Sequence, residues 1–205
     1  MILPMRLCTL ACLVALAIPQ TTAAPAFTQK DRDAGVKYLE ETRKNFLDSI
    51  NGLSEAQWTF KAGPDRWSIA ETAEHITVSE GFIVQLISEK ILKGPKAADG
   101  VARIPDEKII AAITDRSGKA QAPEVLKPTH RFATREALVK EFEKARQGTI
   151  DFIKTSPEDL RAWVAPHPAV KEIDAYQWVL LTSAHSARHT AQIAEVKTAP
   201  DYPKR

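Results

Sequence analysis

"DAYQWVLLTSAHSARHTAQIAEV", residues 174–196, is the stretch on which the fold turns. Asp174 and Gln177 have capping-box spacing: the first side chain takes a free backbone N–H, and the residue three on reaches back to the cap. No Gly or Pro interrupts the chain from there until Pro200. Trp178, Leu181, Thr182, His185, His189, Gln192 and Val196 recur at three- and four-residue steps, which predicts one long amphipathic helix. At about 100° per residue, His185 and His189 stand one turn apart on that core-facing stripe. Two readings of the pair stay open. They are core histidines satisfied by hydrogen bonds, or they are ligands that bridge, through a metal, to another helix.

Working outward, the same pattern repeats. A helix is predicted from about Asp31 to Ile50, with Val36, Leu39, Phe46, Leu47 and Ile50 inward and Asn51-Gly52 as its stop. "SEAQ" (54–57) opens a short turn. "SIAE" (68–71) is a second capping box and starts a helix running to about Leu92, where Lys93-Gly94-Pro95 ends it. Residues 93–133 form a long connection, with a short helix expected over "PDEKIIAAITDR" (105–116). A further helix spans about Thr134 to Lys154, with Leu138, Phe142, Ala145 and Ile153 inward. "SPED" (156–159) then begins a brief turn. Four helices of about 20 residues, one long crossover between the second and third, and no strand signal predict an all-α four-helix bundle.

His75 gives the pair on the last helix a counterpart. It lies two turns into the second helix, on an inward stripe with Ser68, Glu71, Thr72, Ser79, Phe82 and Leu86. Bundle cores hold metals through side chains that point inward from facing helices, so a site of His75, His185 and His189 is a candidate. The other motifs are poorer. There is no G-x-S-x-G elbow, and "HSARH" lacks the glutamate of a metalloprotease helix. His130 and His167 stand in Pro-flanked segments and read as solvated loop residues, while Glu71 is explained by its cap.

The N-terminus carries a different message. "MILPMR" is followed by the apolar run "LCTLACLVALAI" (7–18) and the small-residue stretch "PQTTAAPA". That is the layout of a secretory signal peptide, and the run is too short for a span of about 20 residues. Residues 1–26 are therefore expected to be a signal, cut after Ala23 or Ala26, with a single domain over 27–205. The expected location is outside the cytoplasm, periplasmic or extracellular, with no membrane span left after cleavage. Cys8 and Cys12 both lie in the signal, so the remaining chain has no disulfide, thiolate ligand or cysteine nucleophile. Of 28 basic residues only Arg6 falls there, leaving 27 against 26 acidic ones and no basic field for nucleic acid.

"GPDRWSIAETAEHI" (63–76) resembles the Trp-Ser…His-Ile signature that opens the second helix of DinB-like four-helix-bundle proteins, the group that includes bacillithiol-transferase-type enzymes. "HSARHTAQIAEV" (185–196) is similar to that family's closing motif, and "DRSGKAQAPEVLKP" and "HPAVKEIDAYQWVL" fall where it has its crossover and the lead-in to its last helix. The resemblance covers about 30–197. It implies a divalent transition metal, zinc or nickel, held by His75, His185 and His189, with Trp67, Arg188 and Gln192 at supporting positions. "VKEI" (170–173) departs from the pattern, because relatives commonly carry a glycine there. The chemistry implied is that of a metal-dependent hydrolase or a thiol-type transferase acting on a small molecule. A non-catalytic metal- or ligand-binding bundle is the alternative, and a homodimer is compatible with either. Trp67 and Phe82 are expected as apolar walls on the open side of the site.

Overall fold

A computed structural model describes residues 26–98, 103–118 and 121–204. Apart from Ala26, the expected signal segment lies outside the described residues.

Four long helices form where the periodicity places them: α1 (Gln29–Ile50), α3 (Ile69–Glu89), α5 (Arg135–Thr155) and α6 (Ala175–Lys197). Between them lie α2 (Glu55–Thr59) and α4 (Asp106–Thr114). Local chemistry sets most of the starts. Thr28, Ser54, Ser68 and Asp174 each close a full capping box, and Thr134 caps α5 through its hydroxyl. The Thr28 box starts α1 two residues before the expected Asp31. At the other end of α3, the expected run to Leu92 breaks at Lys90, and residues 91–93 tighten into a 3-10 turn before Pro95.

Among the long helices, α1 packs against α5 and α6, and α3 packs against the same two, so α1 and α3 face each other across a diagonal. Side-chain contacts give the directions. Arg32 of α1 reaches the Ile153 carbonyl and Arg146 reaches the Leu39 carbonyl, so α1 and α5 are antiparallel. Lys197 bonds the Ser49 carbonyl at the far end, so α1 and α6 run parallel. Arg66, just before α3, pairs with Glu195 near the end of α6, so those two are antiparallel. It follows that α3 and α5 are parallel, which requires the chain to travel back along the bundle between them. The long connection does this, with α4 laid against α6.

The expectation of no strands is corrected. β1 (Val164–His167) and β2 (Lys171–Asp174) form an antiparallel hairpin with Val164 opposite Asp174. Four-residue strands with Pro166 and three charged residues among them are too short to show an alternating pattern. Lys171 closes the turn at φ +62°, a left-handed conformation that favours glycine, and it lies within the "VKEI" departure. That departure bears on the hairpin turn at the start of α6. His185 is ten residues along from Ala175, about 15 Å away.

The buried apolar residues fall into two clusters. One gathers Leu39, Ile83, Ile87, Ile150 and Val179, and the other gathers Phe46, Ile69, Ile76, Phe142 and Ile193. A polar layer lies between them, centred on Arg146, which is 0 % exposed. The expected α5 face was one residue off here: Ala145 is half-buried and Arg146 is the core residue. Its guanidinium binds both oxygens of Glu80 at 2.7 Å, Thr42 Oγ1 at 2.7 Å, Ser186 Oγ at 2.8 Å and the Leu39 carbonyl at 2.6 Å. One side chain therefore ties all four long helices together.

Candidate metal centre

Helix periodicity and the antiparallel pairing of α3 with α6 bring the three histidines to one place. One ring nitrogen each from His75, His185 and His189 lies within 4.8 Å of the other two. The His75 and His185 Nε2 atoms are 3.0 Å apart, and the three rings have mutual centroid distances of 4.5–4.8 Å. His75 is buried; the pair on α6 is half-buried.

Hydrogen bonds set the protons. His75 Nδ1 lies 2.8 Å from the Leu126 carbonyl, which can only accept, so Nδ1 carries the hydrogen and Nε2 presents a lone pair. His189 Nδ1 lies 2.9 Å from Gln192 Oε1, and with that amide oxygen accepting, Nδ1 carries the hydrogen and Nε2 is bare. Among the described residues, His185 has no such acceptor on its other nitrogen. Its Nε2 facing that of His75 fits either a shared proton or a shared ion. Burial lowers the His75 pKa, and burial followed by the neighbouring imidazoles pushes His185 well down and His189 down to about 3. All three rings are therefore neutral bases at physiological pH, the form in which imidazole coordinates a metal. Three neutral imidazoles this close fit a small divalent transition ion, whose bonds to imidazole nitrogens are about 2.0–2.1 Å.

The surroundings hold the rings rather than compete with them. Trp67, half-buried, packs on His75 at 4.9 Å between ring centroids and lies 6.4 Å from His189. Arg188 points away from the histidines, to the carbonyls of Ile113, Asp115 and Gly118, and so moors the end of α4 to α6. The nearby carboxylates are committed elsewhere. Glu71 accepts the Ser68 N–H and the Lys61 ammonium, Glu195 is clasped by Arg116, and Glu74 accepts backbone amides of 129–131. Among the described residues no other histidine, cysteine or carboxylate joins the cluster.

Other expected positions turn out differently. Phe82 is no buried wall: it is 43 % exposed. His167 is not a solvated loop residue. It sits half-buried in β1 with its ring 5.1 Å from that of Trp178, and burial lowers its pKa. His130 is exposed as expected, at φ +59°. The sequence reading missed Leu126 and Glu74. Leu126 acts through its carbonyl, which no side-chain pattern reveals, and Glu74 looks like any helical acid.

A family model described as the DinB superfamily matches residues 38–193. The Bacillus subtilis (strain 168) protein YuaE is 27% identical over 159 residues, covering 78% of this chain and 94% of its own. Two solved structures share the fold. YfiT from Bacillus subtilis, described as a probable metal-dependent hydrolase with an unusual four-helix bundle topology, has a TM-score of 0.53 at 14% identity, over 84% of this chain and 89% of its own. TT2238, described as a four-helix bundle protein, has a TM-score of 0.51 at 16% identity, over 80% of this chain and 98% of its own.

Proposed function

For a chain that belongs to the DinB superfamily, we propose a metal-dependent hydrolase acting on a small molecule, with one divalent transition ion held by His75, His185 and His189. One observation carries the reading: three neutral imidazoles converge, and no protein group among the described residues closes the set. A structural metal site closes its shell with four protein ligands, whereas a catalytic one keeps a position for water or substrate. The description given to YfiT agrees with this reading. Ligand type favours zinc, nickel or copper over magnesium or calcium, and the family resemblance points to zinc or nickel.

When bound, such an ion supplies Lewis acidity, polarising an oxygen or sulfur group of the substrate. The chain's own residues do the rest. The Leu126 carbonyl and Gln192 fix two of the rings and their protons, and Trp67 shields one side of the cluster from water. Glu71 and Glu195 are tied up by their cation partners, and among the described residues no carboxylate joins the three rings. A transferase that uses a thiol nucleophile would use the same open position. The proposal includes export, which the N-terminal pattern supports, and no described helix is long and apolar enough to cross a membrane.

Elemental analysis of the purified chain tests the site. The native protein should carry one transition ion, and the His185→Ala, His189→Ala double variant should lose it while far-UV dichroism stays helical. Full occupancy in the double variant would move the site elsewhere. A panel of esters, amides, epoxides and thiols, each assayed against both proteins, then tests catalysis. Turnover should appear only with the native chain, and its absence across the panel would leave a binding protein.

A further inference from the structure

We infer that Glu74 is a positioning residue for the candidate metal centre, acting through a cradle of three backbone amides that holds the Leu126 carbonyl against His75. The inference rests on the metal reading above, although two of its tests need no metal.

Glu74 precedes His75 on α3 but points a different way. Its side chain is 5 % exposed, and its oxygens accept from the backbone N–H groups of Thr129 at 2.8 Å, His130 at 2.9 Å and Arg131 at 3.3 Å. His130 at φ +59° changes the hand of the backbone between these amides, a turn that lets consecutive N–H groups converge on one carboxylate. Successive N–H groups around such a residue form an anion-binding concavity, and bonds from amides to a charged carboxylate are stronger than neutral ones. A buried carboxylate also needs these donors, because leaving it unpaired would be costly. The left-handed histidine in the loop is therefore part of the clamp rather than a ligand.

Arg131 extends the clamp back to residues 125–127. Its guanidinium bonds Thr129 Oγ1 at 3.0 Å and the carbonyls of Val125 and Lys127 at 2.9 and 3.2 Å, which bracket Leu126. The Leu126 carbonyl in turn accepts from His75 Nδ1. The chain of contacts runs from Glu74 through the cradle and Arg131 to the acceptor that keeps the His75 Nε2 lone pair turned toward His185 and His189. Without the clamp, His75 would lose its acceptor, and its ring would be free to carry the hydrogen on Nε2, where it blocks coordination. Outer partners that orient ligating histidines in this way typically contribute 10–100-fold in metal affinity.

The test compares the full native chain with Glu74→Gln, Glu74→Ala and His130→Gly. Three quantities are read: zinc affinity by chelator competition, the ring ¹⁵N shifts of His75 in metal-free protein, and amide exchange at 129–131. Both Glu74 variants should bind zinc about 10–100-fold more weakly, lose amide protection at 129–131, and turn the single Nδ1–H form of His75 into a mixture, with helical content intact. His130→Gly should keep all three, since glycine adopts the left-handed conformation freely. If the amides lose protection while the His75 shifts and zinc affinity stay as in the native chain, Glu74 merely staples a loop and the inference is overturned. A native chain that binds no zinc would sink the metal reading instead, and the exchange and ¹⁵N results in metal-free protein would still decide the role of Glu74.

Discussion

His75 and His189 each spend one ring nitrogen on a protein acceptor and keep the other bare, a state maintained only while both rings stay neutral. Burial makes them so, and the arrangement has a cost in acid. His189 is lowered from 6.5 to about 3 in the folded chain, so between those values the unfolded chain binds more protons than the folded one. Stability is then fully present above the unfolded value and falls as pH drops through that window. The metal-free protein should therefore unfold at lower urea at about pH 5 than at about pH 7, before most carboxylates titrate. His189→Gln should narrow the difference. Equal urea midpoints for the native chain at the two pH values would mean that the histidines are not held neutral by burial.

At the scale of the helix, close approach matters as much as capping. A Cβ on Gly35 of α1 would lie 2.5 Å from Ile153 Cδ1 and 3.1 Å from Tyr176 Cε2, both in fully buried side chains. Alanine is favoured over glycine in a helix by about 1 kcal/mol. Overpacking a tight core costs about 1–3 kcal/mol, so the steric effect should win. Gly148 of α5 has nothing within 4 Å of the same position and should show propensity alone. Thermal melts should place Gly35→Ala a few degrees below the native chain and Gly148→Ala slightly above it. A stabilised Gly35→Ala would show that α1 does not depend on that contact with α5 and α6.

At the scale of the molecule, the Arg146–Glu80 pair joins the four long helices through one buried network. The polar layer divides the apolar core, and Ser186, which it holds, adjoins His185. Each partner depends on the other. Arg146→Met leaves a buried carboxylate with little besides Thr149 Oγ1, a loss of about 3–5 kcal/mol. Adding Glu80→Leu removes the stranded charge, and buried pairs replaced whole are often neutral or better. Urea unfolding should find the double variant more stable than Arg146→Met alone. The reverse order would make Glu80 stabilising without its partner, which the geometry contradicts.

The sequence alone determined the helices and the three histidines. Capping boxes and apolar periodicity are local physics, written within a few residues, and they placed α1, α3, α5 and α6 and the inward stripes that carry His75, His185 and His189. The structure changed the ends of α3 and α1, added the hairpin, and turned Phe82 outward, because those outcomes depend on what packs alongside. Tertiary structure alone decided which helices are neighbours, since a long crossover permits more than one arrangement. It also decided the proton on His75 and on His189, through Leu126 and Gln192, and revealed Glu74 and Arg146 as buried hubs. A charged residue on a helix reads as solvated until its partners are known. For these two the partners lie 40 to 107 residues away in the chain, at separations that no local pattern encodes.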